Sequence, residues 1–175
     1  METYFAGGGL TCAILAAVWD LRQGRIPNPL VYVAMVGGLL LRAGLVGWQG
    51  MLDGVLAGLV AGGLFFLLFL VRGMGGGDVK LITAVGCWVG IRQLPAVLLT
   101  SALAGGVMAV GYMIAYRRIA PTLRNVATLF RFHLAFGLQP HPEISLVNPK
   151  AIRVPYAVAV AAGTLYAFGV TLLRG

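Results

Sequence analysis

Acidic residues are scarce in this chain, and two of them are placed where they could act together. The five acids are Glu2, Asp20, Asp53, Asp78 and Glu143. Asp20 ends one long apolar stretch, and Asp78 begins another, directly after three glycines at 75–77. An ionisable group in or beside a membrane span is costly, so each acid is a candidate functional residue.

Two carboxylates that face each other have a defined chemistry, because they share one proton and titrate separately. The ionised partner can take a proton from water, and the protonated partner can hydrogen-bond a carbonyl and then supply a proton to a leaving amine. Glycines beside Asp78 would let an extended peptide backbone approach closely. Asp20 and Asp78 therefore form a candidate site for peptide hydrolysis without a covalent intermediate.

A purely structural interpretation of the two aspartates is also open. Asp78 could cap a helix that starts at the glycines, and Asp20 could pair with a nearby arginine. Asp20 at a helix C-terminus is unfavourable for the helix dipole, which weakens this interpretation for Asp20. The other three acids are expected to be solvated: Glu2 is near the terminus, Glu143 lies in a polar loop, and Asp53 is placed at a helix start.

The composition places these residues in a membrane protein. Of 175 residues, 59% are hydrophobic and 10% are charged, and the mean hydropathy is +0.91. A soluble domain has about 25% charged residues. The net charge of +8 is typical of the basic cytoplasmic flanks of membrane spans and does not indicate a nucleic-acid partner. We predict one all-α polytopic membrane domain over 1–175, because open sheet edges cannot lie in lipid.

Six transmembrane helices are predicted from apolar stretches of about 17 to 25 residues. They cover 3–19, 30–46, 52–71, 79–91, 96–116 and 154–173, the fourth being short. Loops at 21–29 and 72–77 and turns at 47–51 and 92–95 separate the first five. Gly54, Gly58 and Gly62 repeat every fourth residue along the third span and predict a face for close helix packing.

The basic residues predict the orientation. Ten fall on one side and three on the other; the ten are Arg22, Arg25, Arg72, Lys80, Arg117, Arg118, Arg124, Arg131, Lys150 and Arg153, and the three are Arg42, Arg92 and Arg174. The richer side is expected to be cytoplasmic. Both termini would then lie outside, and the segment 117–150 inside.

Within 117–150, residues 121–138 predict an amphipathic helix on the inner membrane surface. Leu123, Val126, Ala127, Phe130 and Leu134 share one face, and Arg124 and Arg131 lie elsewhere on the helix. The two arginines and His133 argue against a seventh span. His133 and His141 show no metal-ligand spacing, and neither do Cys12 and Cys87, which we interpret as small buried apolar residues.

Four segments resemble one family. Residues 75–78, Gly-Gly-Gly-Asp, match the G-x-G-D signature of intramembrane aspartyl proteases. Residues 77–81, Gly-Asp-Val-Lys-Leu, and 20–28, an Asp followed by a loop ending in Ile-Pro-Asn, are similar to the two aspartate motifs of the type IV prepilin peptidases. Residues 154–157, Val-Pro-Tyr-Ala, resemble the start of that family's last span.

The resemblance implies an enzyme of the bacterial inner membrane that removes leader peptides from prepilins and pseudopilins at the cytoplasmic face. Asp20 and Asp78 would be catalytic, with no metal and no cofactor. Gly75, Gly77, Lys80, Pro27 and Asn28 would support the site or the substrate. On a helix Lys80 points away from Asp78, and we interpret it as an anchor to lipid phosphates, the alternative being a charge that tunes the pair.

Larger members of the family carry an extra cytoplasmic domain with paired cysteines and also N-methylate the product. This sequence has no cysteine pair, so it resembles the short form of Flp-type, tight-adherence pilus systems, and we expect no methyltransferase activity. Archaeal preflagellin peptidases share the two-aspartate design. The main alternative is a proton-coupled transporter component, whose carboxylates would lie near mid-bilayer; a structural subunit is another and would tolerate Asn at both positions.

Overall fold

The computed structural model describes residues 1–137, 139, 144 and 154–174. These residues form helices and connections, with no strand among them. The six helices are α1 (Glu2–Gln23), α2 (Asn28–Val46), α3 (Trp48–Leu70), α4 (Gly76–Ala115), α5 (Ile119–Phe136) and α6 (Tyr156–Arg174). All except α5 are long and apolar enough to span a membrane.

The six predicted spans are carried by five helices because α4 contains two of them. Gly90 interrupts α4 with φ 76° and ψ 172°. The two halves of α4 are antiparallel. Asp78 in the first half interacts electrostatically with Tyr156, and a methyl group on Gly105 in the second half would lie 3.1 Å from the ring of the same tyrosine. A straight helix would hold residues 78 and 105 about 40 Å apart. The polytopic all-α fold is therefore confirmed.

The predicted turn at 92–95 is wrong, since these residues are helical. The chain reverses at Gly90, whose conformation is accessible almost only to glycine. Pro95 lies five residues after Gly90, inside the second half of α4.

An ion pair between the buried Arg42 and the partly exposed Asp53 lies beside Gly90. Arg42, only 7% exposed, lies 2.8 Å from the carboxylate of Asp53 and donates to the carbonyl of Trp88 at 3.1 Å. The N–H of Ile91 donates to the other oxygen of Asp53 at 3.3 Å. The prediction of Asp53 as a solvated acid at a helix start is wrong, because α3 begins at Trp48 and Asp53 pairs with Arg42.

Close packing of α3 on α4 confirms the predicted small-residue face. A methyl group on Gly54 would lie 2.8 Å from the carbonyl oxygen of Cys87, and one on Gly58 would lie 2.6 Å from its sulfur. A methyl group on Gly62 would likewise clash with the side chain of Thr83. Cys12 and Cys87 are both buried and unbridged, as predicted.

The chain termini lie at one end of the bundle, together with the Gly90 break. Gln93 donates to the carboxylate of Glu2 at 2.7 Å. Met1, Arg92 and Thr171 line one cavity of about 380 Å³. The described residues at both ends of the chain thus lie at the same end of the bundle, whereas the number of membrane crossings and the side of the membrane on which this end lies stay predictions.

The amphipathic helix is α5, and it extends from the bundle. Among the described helices it contacts only α4. Leu123, Val126, Phe130 and Leu134 on its predicted apolar face are 56–73% exposed. That this face lies on lipid stays a prediction. The Nδ1–H of His133 donates a hydrogen bond to the carbonyl of Leu129 at 2.7 Å. His141, Glu143, Lys150 and Arg153 lie outside the described residues.

Candidate functional site

Asp20 and Asp78 meet at the end of the bundle opposite the termini. Asp20 lies in the last turn of α1 and Asp78 in the first turn of α4. Their carboxylates are close enough for their charges to interact, and both are partly buried. The structure thus brings together the two aspartates that the sequence singled out.

Asp78 is the third residue of α4, whose N-cap is Gly75 and not Asp78. Its carboxylate accepts the N–H of Gly75, the N-cap residue, while its own N–H donates to the Gly75 carbonyl at 3.1 Å. A methyl group on Gly75 would lie 3.1 Å from the carboxylate. A carboxylate offers about four lone-pair sites, so this bond leaves acceptor capacity free for a water or a substrate.

Asp20 is supported by a different helix. Its carboxylate accepts the N–H of Ala157, in the first turn of α6. The positive end of the α6 dipole offsets the unfavourable position of Asp20 at the end of α1. Within the described ranges the one salt bridge joins Arg42 and Asp53, so the predicted pairing of Asp20 with an arginine is not seen there.

The side chain of Tyr156 completes this side of the site. It interacts electrostatically with Asp78, and its ring lies 5.9 Å from that of Phe65 on α3. Sequence reasoning assigned no role to Tyr156 or Ala157. The only signal was the position of residues 154–157 at the start of a span, which by itself does not show that this span begins beside Asp20.

The remaining motif residues lie around the same first turn of α4. A methyl group on Gly77 would lie 3.4 Å from the Cβ of Ile26. Pro27 is the N-cap of α2. Lys80 donates to the side-chain oxygen of Asn28 at 3.0 Å. The ammonium of Lys80 thus has a partner on α2, and its role as an anchor to lipid phosphates stays a prediction.

These groups can bind a proton and a water. In the part of the chain that the structure describes, no three His, Cys, Asp or Glu side chains are grouped to hold a metal ion. Two carboxylates at the edge of an apolar bundle can polarise a water between them.

Comparison with known proteins agrees with the motifs. The model of the Type IV leader peptidase family matches residues 9–110, which contain both aspartates. A prepilin leader peptidase/N-methyltransferase of Aeromonas hydrophila is 37% identical over 123 residues, covering 62% of this chain and 42% of the relative. Proteins of the same name from Burkholderia pseudomallei (strain 1026b) and Escherichia coli (strain K12) are 35% and 32% identical, each over 64% of this chain, covering 38% and 53% of those relatives. The match thus spans about half or less of these relatives' length, and no solved structure matches the chain.

Proposed function

The chain belongs to the type IV leader peptidase family, and we propose that it is an aspartic endopeptidase that removes leader peptides from prepilins and pseudopilins. The observation that carries this proposal is the meeting of Asp20 and Asp78 at one end of the helical bundle. We further propose that this end faces the cytoplasm of a bacterium across its inner membrane, and that the substrates are Flp-type.

The reaction needs one proton shared by the two carboxylates. The ionised aspartate takes a proton from water as the water oxygen bonds to the scissile carbonyl carbon. The protonated aspartate hydrogen-bonds the carbonyl oxygen, which carries the developing negative charge. Collapse of the tetrahedral intermediate breaks the C–N bond, and a proton passes to the leaving amine. The pair ends with one proton again, so no cofactor is required.

The position of the pair favours hydrolysis over transport. Transport carboxylates lie near the bilayer midplane, whereas Asp20 and Asp78 lie in the terminal turns of their helices. A substrate whose apolar helix stays in lipid would present a peptide bond at this depth. The glycines at 75–77 leave room for its backbone beside Asp78.

We propose that this chain is a peptidase without methyltransferase activity, although the relatives' names include both. The support is that its two cysteines lie apart in α1 and α4, both buried, and do not form a pair. A mature pilin that carries an added methyl group after co-expression with this chain alone would contradict this part of the proposal.

Co-expression with a candidate Flp-type prepilin, followed by intact mass of the pilin, tests the proposed function. The parent chain should yield the mature mass, and Asp20→Asn and Asp78→Asn should leave the precursor mass. Glu2→Gln is the matched control, since it makes the same change at the opposite end of the bundle. Asp53→Asn is a poor control because it would weaken the partner of a buried guanidinium. Processing by either dyad variant at the parent's level would refute the proposal.

A further inference from the structure

Two motif segments that are distant in sequence make contact beside the aspartates. Lys80 donates to Asn28 at 3.0 Å, and Ile26 packs on Gly77. We infer that these two contacts form a latch that positions Asp78 against Asp20, with Asn28 and Lys80 as positioning residues. The inference rests on the proposed function, which supplies the reaction that the latch serves.

The direction of the Lys80 side chain excludes a role on the reacting atoms. Successive side chains on an α-helix are rotated by about 100°, so residues two apart point to nearly opposite sides. Asp78 faces Asp20, and Lys80 accordingly reaches α2. There its ammonium contacts Asn28 and lies 5.5 Å from the centre of the Tyr32 ring.

The latch connects α4, which carries Asp78, to the loop and the helix that directly follow Asp20. Asp20 lies in the last turn of α1, which ends at Gln23, and only residues 24–27 separate α1 from α2. Fixing the start of α2 on the first turn of α4 therefore limits how far Asp78 can move from Asp20. Without it, the glycines at 75–77 would leave the start of α4 free to swing.

Gly77 is the position on the first turn of α4 that faces the α1–α2 loop. A methyl group on Gly77 would lie 3.4 Å from the Cβ of Ile26, which is an ordinary van der Waals distance. The loop thus lies against α4 at residue 77. At Gly75, in contrast, a methyl group would crowd the Asp78 carboxylate at 3.1 Å.

A positioning role and a stabilising role have different signatures. The Lys80–Asn28 hydrogen bond is exposed, and such a bond contributes little to the stability of the fold. A shift of about 1 Å in catalytic geometry, in contrast, can cost about 100-fold in rate. Loss of the latch should therefore lower kcat strongly while the thermal unfolding transition stays where it is.

Steady-state kinetics on purified variants with a prepilin substrate tests the latch. Lys80→Met and Asn28→Ala should each lower kcat by about 10- to 100-fold with little change in KM. The double variant should be no worse than either single variant, because both remove the same contact. Asn28→Asp keeps the acceptor oxygen and should retain activity near the parent's.

Arg25→Met is the matched control, because it removes a charged side chain from the same loop at a residue outside the latch. Parent-like kcat in Lys80→Met or Asn28→Ala would overturn the inference. So would multiplied losses in the double variant, or a loss in Asn28→Asp as large as in Asn28→Ala.

A second readout does not depend on activity. A cysteine introduced by Ile26→Cys can be labelled with a thiol reagent, since Cys12 and Cys87 are buried. Adding Lys80→Met or Asn28→Ala should speed this labelling, and adding Arg25→Met should not. Unchanged labelling overturns the latch even if the parent is active. A parent that cleaves no prepilin overturns the proposed function, and the labelling rates still decide whether the latch exists.

Discussion

The local environment of each aspartate shows how a carboxylate can be both structural and reactive. Asp78 accepts the N–H of Gly75 at the start of α4, and Asp20 is held by the N–H of Ala157 on α6. Each therefore lies at the positive end of a helix, which favours negative charge. Their mutual repulsion opposes ionisation of both at once. We propose that the competition between these effects leaves the pair with one shared proton.

Substitution of Gly75 tests whether cleavage depends on the position of the Asp78 carboxylate. In Gly75→Ala the added methyl group would lie 3.1 Å from the Asp78 carboxylate and displace it. We expect kcat to fall by at least about tenfold through misplacement of the acid. Gly73→Ala is the control, since its methyl group would be 3.5 Å or more from its neighbours. Equal prepilin cleavage rates for the two variants would contradict the role assigned to Gly75.

The pH dependence of cleavage should be bell-shaped. At low pH both aspartates are protonated, so no base is present; at high pH both are ionised, so no acid is present. The two apparent ionisations belong to the pair and not to either residue. A pH–rate profile of kcat on purified enzyme measures this. A rate that keeps rising across the range in which the fold is stable would argue against a shared proton.

At the scale of helices, formation of the site depends on the reversal of α4 at Gly90. Its two halves reverse at Gly90, so α4 packs both its start and its later part near Tyr156. Arg42 and Asp53 hold this reversal from α2 and α3. The contacts at the Gly90 end of the bundle thus help to position the aspartates at the opposite end.

Gly90→Ala should therefore destabilise the whole fold. The new methyl group would clash with both Arg42 and Asp53, and the alanine backbone would be held at a positive φ. The backbone strain alone costs about 1–3 kcal/mol of folding free energy. Gly111→Ala is the control, because it lies in the same helix with open space around it. Thermal unfolding in detergent should show a clear drop for the first and none for the second. Equal transitions would mean that Gly90 is not the obligatory break.

Whether a feature could be predicted from the sequence depends on how far apart along the chain the residues that produce it lie. The spans follow from local hydropathy, and Asp20 and Asp78 follow from their positions at span ends. The Arg42–Asp53 pair joins two helices across a turn, and nothing in the hydropathy of either helix indicates it. Asn28 and Lys80 are 52 residues apart, so their contact exists only after α2 packs on α4. The break at Gly90 was misplaced because Pro95 is a stronger turn signal than a single glycine.

The whole molecule has two unlike ends, and this predicts its orientation. One end carries both termini and the Gly90 break, and the other carries the aspartates, Lys80 and the start of α5. Because basic residues mark the cytoplasmic side, we expect a reporter fused after Gly175 to work only in the periplasm. A reporter inserted after Gly137 should work only in the cytoplasm. Activity of the C-terminal fusion in the cytoplasm would reverse the orientation or make the number of spans odd.

The central claim is that the two carboxylates hydrolyse the prepilin as one unit. The most direct measurement is the single-turnover cleavage rate of a purified prepilin by the parent, Asp20→Asn, Asp78→Asn and the double variant, all shown to be folded. Asn keeps the size of Asp but cannot take or give the proton. Each single variant should lose nearly all activity, and the double variant should be little worse, because residues that act as a unit are not additive. Mature pilin released by either single variant at a rate near the parent's, or losses that multiply in the double variant, would contradict the account.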